Sequence, residues 1–149
     1  MTCTNCGHTK SQTLQNRVFL TYNHLEYFEK PSYGKFQWDM LAGFSQDNKL
    51  GILSYDIDSI YFDTDKSDIK AYPDLYKNIK EKVTEKYGDK TSETENWSNE
   101  KYKNDPGMLH EAINLNHYSK NTTWETSEIN IKLSIENGLV SLTYSFKNI

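Results

Sequence analysis

Ile129-Asn130-Ile131-Lys132-Leu133-Ser134-Ile135, then Glu136-Asn137-Gly138-Leu139, then Val140-Ser141-Leu142-Thr143-Tyr144-Ser145-Phe146: this stretch decides the fold. Two strictly alternating runs flank Asn-Gly, the preferred pair for a two-residue type I′ hairpin turn. With Asn137 and Gly138 as the turn, the register follows. Ile135 faces Val140, Leu133 faces Leu142, Ile131 faces Tyr144 and Ile129 faces Phe146. These eight side chains share one face. Asn130, Lys132, Ser134, Ser141, Thr143 and Ser145 share the other. A hairpin with one apolar face is not stable alone and must bury that face against another element.

The element that supplies the cover is a helix over about residues 73–87. Tyr72, Tyr76, Ile79, Val83 and Tyr87 recur at helical spacing as one apolar stripe. Lys77, Lys80, Glu81, Lys82 and Glu85 occupy the other faces. Pro73 suits the first turn, Asp74 sits at the positive end of the macrodipole, and Gly88 is a natural stop. The fold class expected is α+β: a mostly antiparallel sheet of about four to six strands packed on one main helix. Upstream, a strand is expected at 17–23, a turn at Lys30-Pro31-Ser32-Tyr33-Gly34 and one long strand from Leu50 to Phe62, or two strands broken near Asp58. Phe36, Trp38, Met40, Leu41 and Phe44 form an apolar cluster of undecided type. Residues 1–13 read as a flexible polar tail and 14–149 as a single domain. Residues 89–123 read as a polar, aromatic excursion of the kind that often carries function.

The chain has 149 residues, enough to bury a core without disulfides or metal. Its mean hydropathy is −0.83. Eleven Tyr, six Phe and three Trp offset that polarity, because each ring buries a large area. Net charge is −4, with both signs interspersed. Arg17 is the one arginine, so the clustered cations that neutralise phosphates are missing and a nucleic-acid partner is not expected. No run of eighteen apolar residues exists to span a membrane. The expected location is cytoplasmic, or the cell envelope if a leader once preceded Cys3. The richness in Asn, Lys, Tyr, Ser and Thr has the look of AT-rich, bacterial coding.

Several motifs carry chemistry in outline. Cys3-Thr4-Asn5-Cys6-Gly7-His8 resembles one half of a zinc ribbon, with Cys3, Cys6 and His8 as candidate zinc ligands and His24 as a fourth. No second cysteine pair completes it. Cys3 is also placed where a lipidated residue would stand, with residues 4–16 as its tether. Asp63-Thr64-Asp65-Lys66-Ser67-Asp68 has the alternating oxygens of a calcium loop, but Asp68 stands where glycine is needed. A turn and helix cap explain it better. Asp56 and Asp58 share a strand face and read as solvated carboxylates before they read as an acid–base pair. His110, Glu111 and His117 lack the spacing of a helical metal site. No nucleophile elbow or phosphate-binding glycine loop is present, so catalysis is not expected and no cofactor is required.

What remains is binding. Trp97, Tyr102, Tyr118 and Trp124 lie in or beside the excursion. They are either anchors for a protein partner or a lid over the core. The functional expectation is a small non-catalytic protein that acts by protein–protein contact, inhibitor-like or immunity-like, with these four aromatics as its candidate contact residues.

Overall fold

The computed structural model describes residues 24–33, 36–58 and 69–147. Among these residues seven strands form one antiparallel sheet: β1 (His24–Tyr33), β2 (Phe36–Phe44), β3 (Leu50–Asp58), β4 (Ser92–Trp97), β5 (Tyr118–Glu125), β6 (Ile129–Glu136) and β7 (Leu139–Phe146). Their spatial order is β1-β2-β3-β7-β6-β5-β4. Two meanders, β1-β2-β3 and β4-β5-β6-β7, therefore meet where β3 pairs with β7. Between them the chain must travel from the middle of the sheet to its far edge. Helix α1 (Tyr72–Tyr87) makes that journey across one face, after a single 3₁₀ turn at Ile69–Ala71. Two short helices, α2 (Glu100–Lys103) and α3 (Leu109–Asn114), lie between β4 and β5.

The terminal hairpin has the register that its sequence dictates: Ile135 opposite Val140, Leu133 opposite Leu142, Ile131 opposite Tyr144 and Ile129 opposite Phe146. Asn137 has φ 54° and Gly138 φ 71°, as a type I′ turn requires. No heavy atom lies near where a Gly138 side chain would begin, so the demand for glycine is conformational. Gly138→Ala is expected to cost about 1–2 kcal/mol, read as a lowered urea midpoint, because a left-handed L-residue carries that penalty.

Cross-strand pairing extends the hairpin's apolar face into rows: Ile57-Val140-Ile135, Tyr55-Leu142-Leu133-Thr122 and Leu53-Tyr144-Ile131-Trp124. Against this face α1 buries Tyr72, Leu75, Tyr76, Ile79 and Val83. Tyr87 is half-buried, with its ring 6.3 Å from that of Tyr144. The stripe read from spacing is thus the stripe that packs, with Leu75 filling the next position. Gly88 ends the helix at φ 87°, and its N–H returns to Thr84 O at 2.9 Å.

Three local expectations change. Residues 30–33 continue β1 up to Tyr33, which pairs with Phe36, and a register shift between Glu29 and Ser32 accommodates Pro31. Proline is tolerated there because β1 is an edge strand at an irregularity. The undecided cluster 36–44 is strand β2, whose partners on both sides reward an extended backbone. Residues 89–123 are no excursion beyond the sheet. They hold β4, α2, α3 and most of β5, and β4 is the outer strand that takes the described sheet to seven strands. The expected strand at 17–23 lies outside the described residues.

Candidate functional site

The four aromatics do not form a contact surface. Trp124 is 1% exposed, and Tyr102 and Tyr118 are buried in the same cluster as Ile131 and Leu133. Trp97 is half-buried against that cluster, its ring 4.6 Å from that of Tyr118. The physical reason is register. Tyr118 and Trp124 fall at even steps along β5 and so point to the face under α1, and Trp97 pairs with Tyr118 across the ladder. The reading of Trp97, Tyr102, Tyr118 and Trp124 as partner anchors is replaced by one in which they close the core.

The other candidates also separate. Cys3, Cys6, His8 and the Asp63–Asp68 loop lie outside the described residues, as do the side chains of His24 and Asp58. Among the described residues no group of three or more His, Cys, Asp or Glu is placed to share a metal ion. Asp56 sits opposite Asp39 and accepts hydrogen bonds from the hydroxyls of Ser141 and Ser54 on the face of the sheet opposite α1. His110 lines a shallow cavity with Ile69, Glu111, Asn114 and Leu115, whereas His117 lines a different one.

That second cavity is the candidate site. It is a cleft of about 370 Å³, lined by Asn96, Ser98, Asn116, His117, Tyr118, Ser119, Glu136 and Asn137. It lies at one end of the sheet, where the last turn of β4, the first residues of β5 and the β6–β7 turn converge. Asn96 pairs with Ser119 across β4 and β5. The pairing of Lys120 with Ile135 carries the row on from Ser119 to Glu136. Two of its walls are asparagines in left-handed conformation, Asn116 at φ 59° and Asn137 at φ 54°. Asparagine is among the few residues that adopt this shape readily.

The cleft is rigidly built. His117 N–H donates to Ala112 O at 2.7 Å, and Ser98 N–H donates to His117 O at 3.0 Å. The Ser98 hydroxyl and His117 Nδ1 lie 2.9 Å apart, and the imidazole stacks on the Tyr102 ring at 5.2 Å. A serine beside a histidine is the start of a nucleophilic pair, but activation also needs a group that orients the ring from its other nitrogen. Among the described residues no carboxylate bonds to His117; stacking on Tyr102 holds it. The pair therefore acts as a clasp that ties β4 and β5 to α2. Among the described residues the only carboxylate in the lining is Glu136, which accepts from Asn121 Nδ2 at 2.8 Å and lies 3.4 Å from Lys132 Nζ.

Among the described residues β4 is held from one side only. In their spatial order it is terminal, and Ser92, Thr94, Glu95 and Asn96 are exposed. Ser98 N–H points at β5, and hydrogen-bonding residues alternate along an antiparallel ladder. Asn96, Thr94 and Ser92 therefore face β5 as well. Glu93, Glu95 and Trp97 direct their N–H and C=O groups away from the sheet.

A polar clasp fixes this edge to α1. Lys80 Nζ lies 2.5 Å and Lys90 Nζ 3.1 Å from Glu93 Oε2. The Thr122 hydroxyl donates to the same oxygen at 3.0 Å and meets the Tyr76 hydroxyl at 2.7 Å. This satisfies Thr122, which is fully buried in an otherwise apolar row. Burial pushes the Tyr76 hydroxyl up to about 12. The hydrogen bond from Lys80, joined by those from Lys90 and Thr122, holds Glu93 down at about 2. A depressed carboxylate stabilises the fold above its unfolded pKa, and that contribution disappears as pH falls towards the folded value. Urea midpoints are therefore expected to drop between about pH 4.5 and pH 2 by the equivalent of about 1–2 kcal/mol, allowing for solvent screening. Glu93→Gln should flatten that part of the profile. An unchanged acid profile would show that the clasp contributes nothing.

Comparison with family models, with curated proteins and with solved structures finds no match to this chain. None of the described helices is long and apolar enough to cross a membrane. The cleft residues were not singled out by the sequence, apart from Asn137 as part of a turn, Tyr118 as a candidate partner anchor and His117 as a rejected metal ligand. Asn96, Ser98, Ser119 and Glu136 are unremarkable along the chain. Only the pairing of β4, β5 and β6 brings them together.

Proposed function

We propose that the protein is a non-catalytic binding module, inhibitor-like or immunity-like, that takes an extended segment of a protein partner as an added strand on β4. The observation that carries this reading is that, among the described residues, β4 is the outer strand, with the backbone N–H and C=O groups of Glu93, Glu95 and Trp97 directed away from the sheet beside a polar cleft. In strand addition the main chain supplies affinity, and pockets for alternate side chains supply specificity. An edge and a cleft side by side offer both. The burial of Tyr102, Tyr118 and Trp124 supports this mode over one in which those rings anchor a flat contact face.

The test is site-specific photocrosslinking in extract of the native host. A benzoylphenylalanine in place of Asn96 should trap a discrete partner protein. The same group in place of Lys77, exposed on the outer side of α1, should not. Crosslinking from Lys77 alone would move the contact to the helix and end the reading.

A further inference from the structure

We infer that the cleft beside β4 receives an arginine from the added strand, so that the partner segment is extended and basic. The inference rests on the proposed strand addition and goes on to name what fills the cleft. Its grounds are face, reach and charge.

Face comes from the ladder. Asn96 turns its backbone groups towards β5, so a residue opposite it on an added strand occupies a non-hydrogen-bonded position. Side chains approach most closely at such positions. That residue shares the face of Asn96, Ser119 and Glu136, which is the face on which the cleft opens. Residues on either side of it point to the α1 face and cannot enter.

Reach selects a long side chain. The Glu136 carboxylate is drawn over β5 by the Asn121 amide at 2.8 Å. From an added strand to β5 is two strand spacings, about 9.5 Å. Short side chains stop above Asn96. Only the longest ones carry a donor across Ser119 to the carboxylate.

Charge selects a cation, and the rest of the lining selects a guanidinium. Among the described residues Glu136 is the one carboxylate in the lining, and no lysine or arginine lines the cleft. Lys132 approaches one Glu136 oxygen at 3.4 Å, the Asn121 amide engages the other, and the carboxylate retains further lone pairs. The walls add hydroxyl and amide oxygens from Ser98, Ser119, Asn96, Asn116 and Asn137. A planar fork of five donors can meet a carboxylate and several neutral acceptors together, which an ammonium does less well.

Two blocked seven-residue peptides of alternating threonine and valine test this. One has arginine at its centre; the other has citrulline, a neutral isostere. Each is titrated into the full chain while backbone amide resonances are followed. The arginine peptide should shift the amides of Glu93, Glu95 and Trp97 together with those lining the cleft, and should bind at least threefold more tightly than the citrulline peptide. Glu136→Gln should abolish that difference while both peptides still shift the β4 amides. Equal affinity of the two peptides for the wild-type chain, with β4 shifts retained, would overturn the arginine and leave strand addition standing. Absence of any β4 shift with either peptide would overturn both.

Discussion

Trp124→Ala is expected to leave most of the protein unfolded in mild denaturant, at a cost of about 3–5 kcal/mol. Trp124 is 1% exposed and packs in the core beside its cross-strand partner Ile131, beneath α1. Truncation removes the transfer energy of an indole and leaves a cavity that the sheet cannot close, because β6 and β7 hold its neighbours in register. Domains of this size have about 5–15 kcal/mol in all. The indole N–H is itself buried without a hydrogen-bond partner among the described residues. Trp124→Phe removes that orphan donor along with some volume, so it should cost much less, about 1–2 kcal/mol. Urea titrations followed by circular dichroism measure both. An alanine variant within 1 kcal/mol of wild type would contradict the packing, and with it the argument that the aromatics are core.

Glu95→Pro should abolish partner binding while leaving the fold in place. The Glu95 N–H points away from β5, so its loss breaks no bond of the existing ladder. Proline is accepted at such positions on edge strands. An added strand, by contrast, would lose a main-chain hydrogen bond and meet the pyrrolidine ring where its backbone must pass. Glu95 also accepts a hydrogen bond from the Tyr118 hydroxyl at 2.7 Å, which any substitution removes. Glu95→Ala is the control, since it loses the same carboxylate and keeps the N–H. The proline variant should bind the partner at least tenfold more weakly than the alanine variant, with thermal midpoints of the two variants within a few degrees. Equal binding would place the contact away from β4.

The contrast between what was legible and what was not follows from the range of the interactions. The terminal hairpin was legible because its pattern, turn and register are set within eighteen consecutive residues. Helix α1 was legible for the same reason, through Tyr72, Tyr76, Ile79 and Val83. Strand β4 was not. Its sequence, Ser92-Glu93-Thr94-Glu95-Asn96-Trp97, has the polarity of a loop. It is a strand because β5 pairs with it and because Lys80, Lys90 and Thr122 draw Glu93 onto the sheet. Every one of those partners except Lys90 is distant in the chain. The cleft inherits the same difficulty. Glu136 looks like a turn-flanking acid until β5 brings Asn121 beside it, and His117 looks like half of a metal pair until Ser98 and Tyr102 claim its ring.

Strand addition requires the outer edge of β4 to be free. Amide hydrogen exchange of the isolated protein, resolved residue by residue, measures that edge. Ser98 and Asn96, bonded to β5, should exchange slowly, and Glu93, Glu95 and Trp97 should exchange faster by at least tenfold, giving a two-residue alternation along the strand. Equal and strong protection at all five positions would mean that the edge is already covered, and would contradict the proposed mode of binding.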